Sequence, residues 1–139
     1  MEFANGFRDL EVYKLARQLS KEIFLLSKSF PKEEMYSLTD QVRRSSRSIG
    51  AQIAEAWGKR KYEKHFISKL TDADGEQLET QHWIETALDC AYISIEASKG
   101  LLQQYDSMGR MINSMIKKSA SFCNKEPLSH SPKPTTSNF

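Results

Sequence analysis

The segment WGKRKYEK, residues 57 to 64, places four basic side chains around two aromatic rings. Cations of this kind neutralise phosphates and exposed rings stack on bases, so the mixture is typical of a nucleic-acid surface. A charged helix end that is simply solvated is the ordinary alternative. We therefore predict contacts with RNA or DNA at Lys59, Arg60, Lys61 and Lys64.

A second basic group lies just before this segment, where three arginines alternate with small residues. On a helical projection, the side opposite the apolar stripe holds Arg43, Arg47, Ala51 and Ala54. Small side chains allow another backbone to approach closely, and arginine suits a partner that offers carboxylate or phosphate. The pattern predicts a surface for another subunit at Arg47, Ala51 and Ala54. A solvated face that contains alanine, a strong helix former, is the alternative.

The third helical segment supplies a candidate partner for that surface. Trp83 and Cys90 fall on its back by the same projection, and an exposed tryptophan is unusual unless a partner covers it. Glu76 and Glu79 flank this side, so we expect the acidic helix of one subunit to meet the basic helix of another, a heterologous contact that closes into a ring. We therefore add Trp83 and Cys90 to the oligomer interface; the alternative is that a bend tucks Trp83 under a neighbouring helix.

Residue types suited to catalysis or metal binding are present, but their spacing is not suitable. Glu79 and His82 have the Glu-x-x-His spacing of di-iron bundles, which need two such pairs, and the sequence contains one. Neither cysteine has a histidine placed near it by sequence, and no phosphate-binding glycine loop occurs. We predict a protein without catalytic residues, metal site or cofactor.

Four segments carry apolar residues at helical steps of three and four, and none shows the alternation of a strand. Pro31 ends the first segment, and Gly58 is a suitable stop for the second because glycine adopts the left-handed conformation cheaply. The four stripes are Val12, Leu15, Leu19, Ile23, Leu26 and Phe30; Leu38, Val42, Ser45, Ile49, Ile53 and Ala56; Phe66, Leu70, Ala73, Gln77, Ile84, Leu88 and Ala91; and Leu101, Tyr105, Met108, Ile112, Met115 and Phe122.

Long amphipathic helices with short connections bury their stripes best in an antiparallel, up-and-down four-helix bundle. We predict this all-α fold for residues 1 to 123, as one domain of the 139-residue chain. The ending, residues 124 to 139, is rich in Pro, Ser and Thr and has no apolar face, so we predict a flexible tail.

The charge is uneven although the formal net charge is only +2. Residues 41 to 64 hold seven Lys or Arg and two Glu, whereas residues 71 to 96 hold seven acidic residues and neither Lys nor Arg. The longest apolar run is far shorter than the roughly 20 residues of a membrane helix, and no secretory signal is visible. Cys90 and Cys123 lack C-x-x-C spacing, which is typical of a reducing compartment. We predict a cytoplasmic protein without membrane contact.

Two stretches carry a family resemblance, FRDLEVYKLARQL from residue 7 and FPKEEMYSLTDQVRRSSRSIGAQIAEAWGKR from residue 30. They resemble the small bacterial four-helix-bundle family of ribosomal-RNA intervening-sequence proteins, which includes the accessory variability determinant of diversity-generating retroelements. The most specific part, SIGAQIAE, is similar to the family's S-I-P-A-N-I-A-E, with Gly50 in place of proline and Gln52 in place of asparagine.

The resemblance implies a homo-oligomer, typically a pentameric ring of bundles, without catalytic activity. It also implies nucleic-acid binding through basic surfaces. The matching positions in this sequence are Arg43, Arg44 and Arg47 and residues 59 to 64. For the accessory determinants, the resemblance implies a reverse transcriptase as a partner. We therefore predict a non-enzymatic, homo-oligomeric bundle that binds RNA or DNA as a scaffold or chaperone. The alternative is a protein-interaction module without nucleic-acid binding.

Overall fold

The computed structural model describes residues 4 to 123, which form five α-helices and, within that range, no strand. Two single-turn 3-10 segments, Phe7–Asp9 and Lys32–Glu34, precede the first and second helices. The predicted all-α class with four long helices is confirmed, and the predicted tail lies outside the described residues. The helices are α1 (Glu11–Ser27), α2 (Leu38–Gly58), α3 (Glu63–Asp89), α4 (Ile95–Lys117) and the single-turn α5 (Ser119–Phe122).

The four long helices share one apolar core. Helix α2 packs against α1 and α3, α3 packs against α4, and α1 also meets α4. All six stripe residues predicted for α2, from Leu38 to Ala56, are buried. The α3 stripe is confirmed from Phe66 to Ile84, but Leu88 is half-buried and Ala91 is exposed because α3 ends at Asp89.

None of the helices within residues 4 to 123 combines the length and the apolar character that a membrane crossing requires.

Helix α1 ends earlier than Pro31 alone requires. Its last residue is Ser27, whose Oγ donates to the carbonyl of Phe24 at 3.0 Å. A serine hydroxyl that bonds to local backbone competes with continued helix. Phe30, which was expected to extend the helical stripe, instead lies beside Tyr92, with 5.5 Å between the ring centres.

The left-handed residue at a helix end is an alanine and not a glycine. Gly58 ends α2, but no glycine in the described part of the chain has a positive φ, so the left-handed conformation predicted for Gly58 is wrong. Ala91, after α3, has a φ of 61°. Its N–H donates to the carbonyl of Leu88 and that of Tyr92 donates to the carbonyl of Ala87, each at 2.9 Å, which is the Schellman pattern. The left-handed conformation costs a residue with a side chain roughly 1–2 kcal/mol.

Buried polar side chains connect α3 to both of its neighbours. The hydroxyls of Ser45 in α2 and Thr80 in α3 are hydrogen-bonded at 2.8 Å. Gln77 is only 3% exposed, and its Nε2 donates to Oδ1 of Asp74 at 2.9 Å. Gly109 in α4 provides the space for this amide, because a Cβ at that position would lie 2.8 Å from Gln77 Nε2. The α3–α4 contact therefore depends on one glycine that faces one buried amide.

Candidate nucleic-acid interface

Two of the three α2 arginines contact α1 of the same chain. Arg43 donates from Nε to Ser27 Oγ at 2.7 Å, and its guanidinium carbon lies 4.8 Å from the centre of the Phe24 ring. Arg47 lies over the same ring at 5.3 Å, although its side chain is exposed. The side of α2 predicted to face another subunit therefore faces α1 at these two positions, and a nucleic acid would have to replace contacts that Arg43 already makes.

The third arginine, Arg44, joins α2 to α3. Its guanidinium forms ion pairs with Glu79 and with Glu76, the latter at 3.5 Å. Trp83 Nε1 donates to the same Glu79 carboxylate at 3.0 Å. This hydrogen bond, together with the contacts of Arg44, lowers the pKa of Glu79, and the hydrogen bond to Glu79 raises the pKa of Arg44. Arg44 reaches both glutamates within its own chain, and the contact of these glutamates with α2 of another subunit stays a prediction.

Trp83 does not occupy the exposed position predicted for it. Its ring is half-buried against the core, where it borders a small gap together with Phe30 and Ile93. Both of these residues lie in connections between helices. Trp83 is thus half-buried within its own chain, and its place in an interface between subunits stays a prediction. Cys90, the residue after α3, is exposed.

The remaining interface candidates lie together. Ala51 is exposed and Ala54 is half-buried, and with Arg47 they line a groove of about 330 Å³ between α1 and α2. Gly50 borders the same groove, and the Tyr13 ring lies 3.6 Å from the position that a Cβ would take there. The structure thus brings Arg47, Ala51 and Ala54 to one surface, while Trp83 and Cys90 lie elsewhere.

The turn between α2 and α3 leaves its lysines exposed. The turn is tight, since the N–H of Tyr62 donates to the carbonyl of Lys59 at 3.0 Å. Lys59, Lys61 and Lys64 are all exposed, and none of the three forms an ion pair with a residue of the described range. The single carboxylate in the turn, Glu63, accepts a hydrogen bond from Ser119. The lysines therefore have no carboxylate to release before they bind an anion.

Arg60 is held in place by Trp57. Its guanidinium carbon lies 3.7 Å from the centre of the Trp57 ring, and its Nε donates to the Trp57 carbonyl at 2.9 Å. No residue of the described range accepts a hydrogen bond from the two terminal amino groups of Arg60. Trp57 thus orients the half-buried Arg60 through its Nε, and a guanidinium can bind a phosphate through its two remaining amino groups.

Two rings stand among these cations. Tyr62 is 54% exposed, and the centre of its ring lies 5.5 Å from that of His65, with an angle of 53° between the planes. The Nζ of Lys61 lies 5.9 Å from the Tyr62 ring. We name this group of cations and rings, which are exposed except for the half-buried Arg60, the turn surface; it consists of Lys59, Arg60, Lys61, Tyr62, Lys64 and His65.

Two further lysines near this surface, Lys117 and Lys118, were not predicted as site residues from the sequence. Both are exposed at the end of α4, next to Ser119, which donates to Glu63 in the first turn of α3. Phe122 stacks near Phe66 in the same region, with 5.9 Å between ring centres. The signal that could have found them was the predicted up-and-down helix order, since it brings the end of the fourth helix back to the start of the third.

The Glu-x-x-His pair of α3 has other partners. Glu79 contacts Arg44 and Trp83, and the His82 ring lies 4.7 Å from that of Trp83. Within residues 4 to 123, no three or more His, Cys, Asp or Glu side chains come together in a way that could hold a metal ion. The pair therefore contributes to contacts on the surface of α3.

Sequence comparison with known families gives a match over most of the helical region. The family model described as 23S rRNA-intervening sequence protein matches residues 8 to 114. The chain belongs to this family. It is also similar to a crystal structure from Bacteroides thetaiotaomicron, described as a protein with unknown function from the S23 ribosomal protein family. The two share 29% sequence identity with a TM-score of 0.69, over 76% of this chain and 95% of that one. Among curated proteins, none matches this chain.

The family resemblance predicted from the sequence is thus confirmed. For this member of the 23S rRNA-intervening sequence family, the matched range contains the three α2 arginines and the whole turn surface. Lys117 and Lys118 lie just beyond it.

Proposed function

We propose that this member of the 23S rRNA-intervening sequence family is a non-enzymatic protein whose turn surface binds the phosphates of RNA or DNA. One observation carries the proposal: within the described range, Lys59, Lys61 and Lys64 are exposed without a carboxylate partner, next to an arginine oriented by Trp57. By contrast, the contacts of Arg43 and Arg44 with their own chain exclude them from the proposed surface.

The position of these cations supports the proposal on electrostatic grounds. The N-terminus of a helix carries a partial positive charge, so basic residues there are unfavourable for the helix itself. Lys59, Arg60, Lys61 and Lys64 surround the start of α3, where Tyr62 is the N-cap residue and makes no side-chain capping bond. A bound phosphate relieves repulsion among the cations and also satisfies the helix end.

The binding that we propose is largely independent of base sequence and sensitive to salt. Each neutralised phosphate releases condensed counterions, and four such contacts give a slope of about −3 for log K against log salt concentration. Lys117 and Lys118 extend the cationic area at the end of α4.

The proposal includes an antiparallel, up-and-down arrangement of the four helices and their assembly into a ring. Residue numbers rise along α2 as they fall along α3 in two contacts, Ser45 with Thr80 and Glu55 with Lys69, which supports the antiparallel order. The groove at Arg47, Ala51 and Ala54 offers a closely approachable surface for a second copy. In a ring, for which we propose five subunits, several turn surfaces act together and gain avidity.

A titration with structured RNA from about 50 mM to about 300 mM KCl tests the proposal. The variant with Lys59, Arg60, Lys61 and Lys64 all replaced by Glu should bind at least about 100-fold more weakly, because reversal removes four phosphate contacts and adds four repulsions. The matched control reverses four exposed lysines elsewhere, Lys21, Lys28, Lys32 and Lys99, and should stay within about threefold of wild type. Equal weakening by both variants would assign binding to net charge alone and contradict the turn surface.

The same exposed lysines favour one rival function, a cytoplasmic protein-interaction module that docks an acidic protein. For a retroelement accessory protein, that partner would be a reverse transcriptase. Wild-type protein that retains no RNA at low salt, yet co-purifies with an acidic partner through the turn surface, would replace our proposal with this one.

A further inference from the structure

We propose that the turn surface selects single-stranded nucleic acid, with the Tyr62 ring stacking on an unpaired base while the neighbouring cations hold the flanking phosphates. This inference rests on the proposed function and specifies the class of nucleic acid that the same surface takes. The observation that supports this inference is that the exposed Tyr62 ring lies among cations that form no ion pair within the described residues.

The Tyr62 ring is largely open to solvent, and within the described residues it lies beside His65 and Lys61. The ring is 54% exposed, and within the described range its hydroxyl donates to no residue. It forms the N-cap of α3 with extended backbone, φ −122° and ψ 104°, and its side chain makes no capping hydrogen bond. An exposed aromatic ring leaves apolar surface in water, and a stacked base removes that surface.

The cations lie on both sides of this ring along the chain. Lys61 directly precedes Tyr62, and its Nζ lies 5.9 Å from the ring centre. Lys64 follows Tyr62 by two positions, in the first turn of α3. His65 sets a second ring at 53° to the first. Cations that flank an aromatic platform are the arrangement by which proteins hold single strands without reading their sequence.

A duplex does not match this arrangement. Its bases are stacked on each other, so a ring at the centre of the contact would face the sugar–phosphate backbone and gain nothing from stacking. Trp57 cannot replace Tyr62 as the platform, because Arg60 covers a face of its ring at 3.7 Å. Of the two aromatic residues in the segment WGKRKYEK, only Tyr62 is therefore open to a base.

The test compares a single strand of about 12 nucleotides with a hairpin duplex of equal phosphate number, by fluorescence anisotropy at low salt. Wild type should prefer the single strand. Tyr62→Ala should weaken single-strand binding about tenfold and duplex binding less than about twofold, with an unchanged salt slope because no phosphate contact is lost. Tyr62→Phe is the matched control and should bind as wild type does, since the ring face is retained. Circular dichroism confirms that each variant is folded.

The possible failures are distinguishable. If wild type binds both nucleic acids and Tyr62→Ala changes neither or weakens both equally, the ring has no stacking role, and the electrostatic function survives without this inference. If wild type binds neither, the proposed function fails and the inference fails with it. Oligo-dT and oligo-rU of equal length distinguish a DNA ligand from an RNA ligand. Equal affinity supports stacking of the ring on the bases of either nucleic acid, and preference for rU supports an RNA ligand held by the same ring.

Discussion

A tyrosine lies beside each end of α3, and the two differ in exposure and in their partners. At its start, Tyr62 and the lysines around it are exposed and have no ion-pair partner within residues 4 to 123. At its end, Tyr92 donates its hydroxyl to Glu34 Oε2 at 2.9 Å and packs against Phe30. The hydrogen bond to Glu34 raises the pKa of Tyr92 to about 12, because the carboxylate holds the proton on the hydroxyl.

This difference separates a structural tyrosine from a tyrosine available to a ligand. One end ties two connections together through Tyr92 and Glu34, whereas the other presents exposed lysines and an exposed ring. Both ends also carry a charge that opposes the helix dipole, Lys64 in the first turn and Asp89 at the last residue, although Glu63 in the first turn suits it. The packed face of α3 contributes more to its stability than these charges do.

The strongest test of this contrast truncates both tyrosines. Tyr92→Ala removes the bond to Glu34 and the packing on Phe30, so we expect Tm to fall by roughly 5 to 8 °C. Tyr62→Ala removes a mainly exposed ring, so its Tm should stay within about 1 °C of wild type. Thermal unfolding by circular dichroism measures both, and equal losses would remove the distinction between the two ends.

A smaller effect is expected from the residue that turns the chain at the end of α3. Ala91→Gly relieves the left-handed conformation, and after the greater entropy of glycine in the unfolded chain is subtracted, the free energy of unfolding should rise by about 0.5–1 kcal/mol. Urea denaturation provides the measurement. Gly75→Ala is a useful companion: Gly75 is helical and a Cβ would meet nothing within 4 Å, so the opposite substitution should also stabilise. A destabilised Ala91→Gly protein would show that the turn is not strained.

The smallest effect concerns the charges at the two ends. Lys64→Glu and Asp89→Lys each turn an unfavourable charge into one that suits the helix dipole, and each should raise Tm by about 1 to 3 °C at low salt. Only Lys64→Glu should also weaken nucleic-acid binding, because Asp89 lies at the other end of α3. Loss of binding in both variants would mean that the turn surface does not act locally.

Helical periodicity was sufficient to predict the core. Ile49, Ile53 and Phe66 are fully buried as their spacing predicted, because burial along a helix depends on a repeat that the sequence displays directly. The end of α2 was predicted at the right position for the wrong reason, since Gly58 stops the helix without a left-handed turn. The left-handed residue, Ala91, carries no local signal that distinguishes it from a helical alanine.

The candidate site was harder to predict, because a helical projection shows on which side of its helix a residue lies but not which residues of other elements contact it. Arg44 and Lys61 look equivalent in sequence, yet Arg44 pairs with carboxylates 32 and 35 positions along the chain, while Lys61 pairs with none within the described range. The half-burial of Trp83 was not predicted for the same reason, since Phe30 and Ile93, which border the same gap, lie in connections that the projection of α3 does not include. The exposure of the turn lysines was easier to predict, because few carboxylates lie near a tight turn.

Gly109 and Gln77 fix the axial register of α3 against α4. Sliding by one turn, about 5.4 Å, would bring the buried amide from the open space at Gly109 onto Tyr105 or Asn113. The amide would then meet a side chain where Gly109 now leaves room, and an overpacked contact of this kind costs about 1–3 kcal/mol. Alternative alignments of these two helices are thereby disfavoured, and the lysines that end α4 are held at a constant distance from the cations that begin α3.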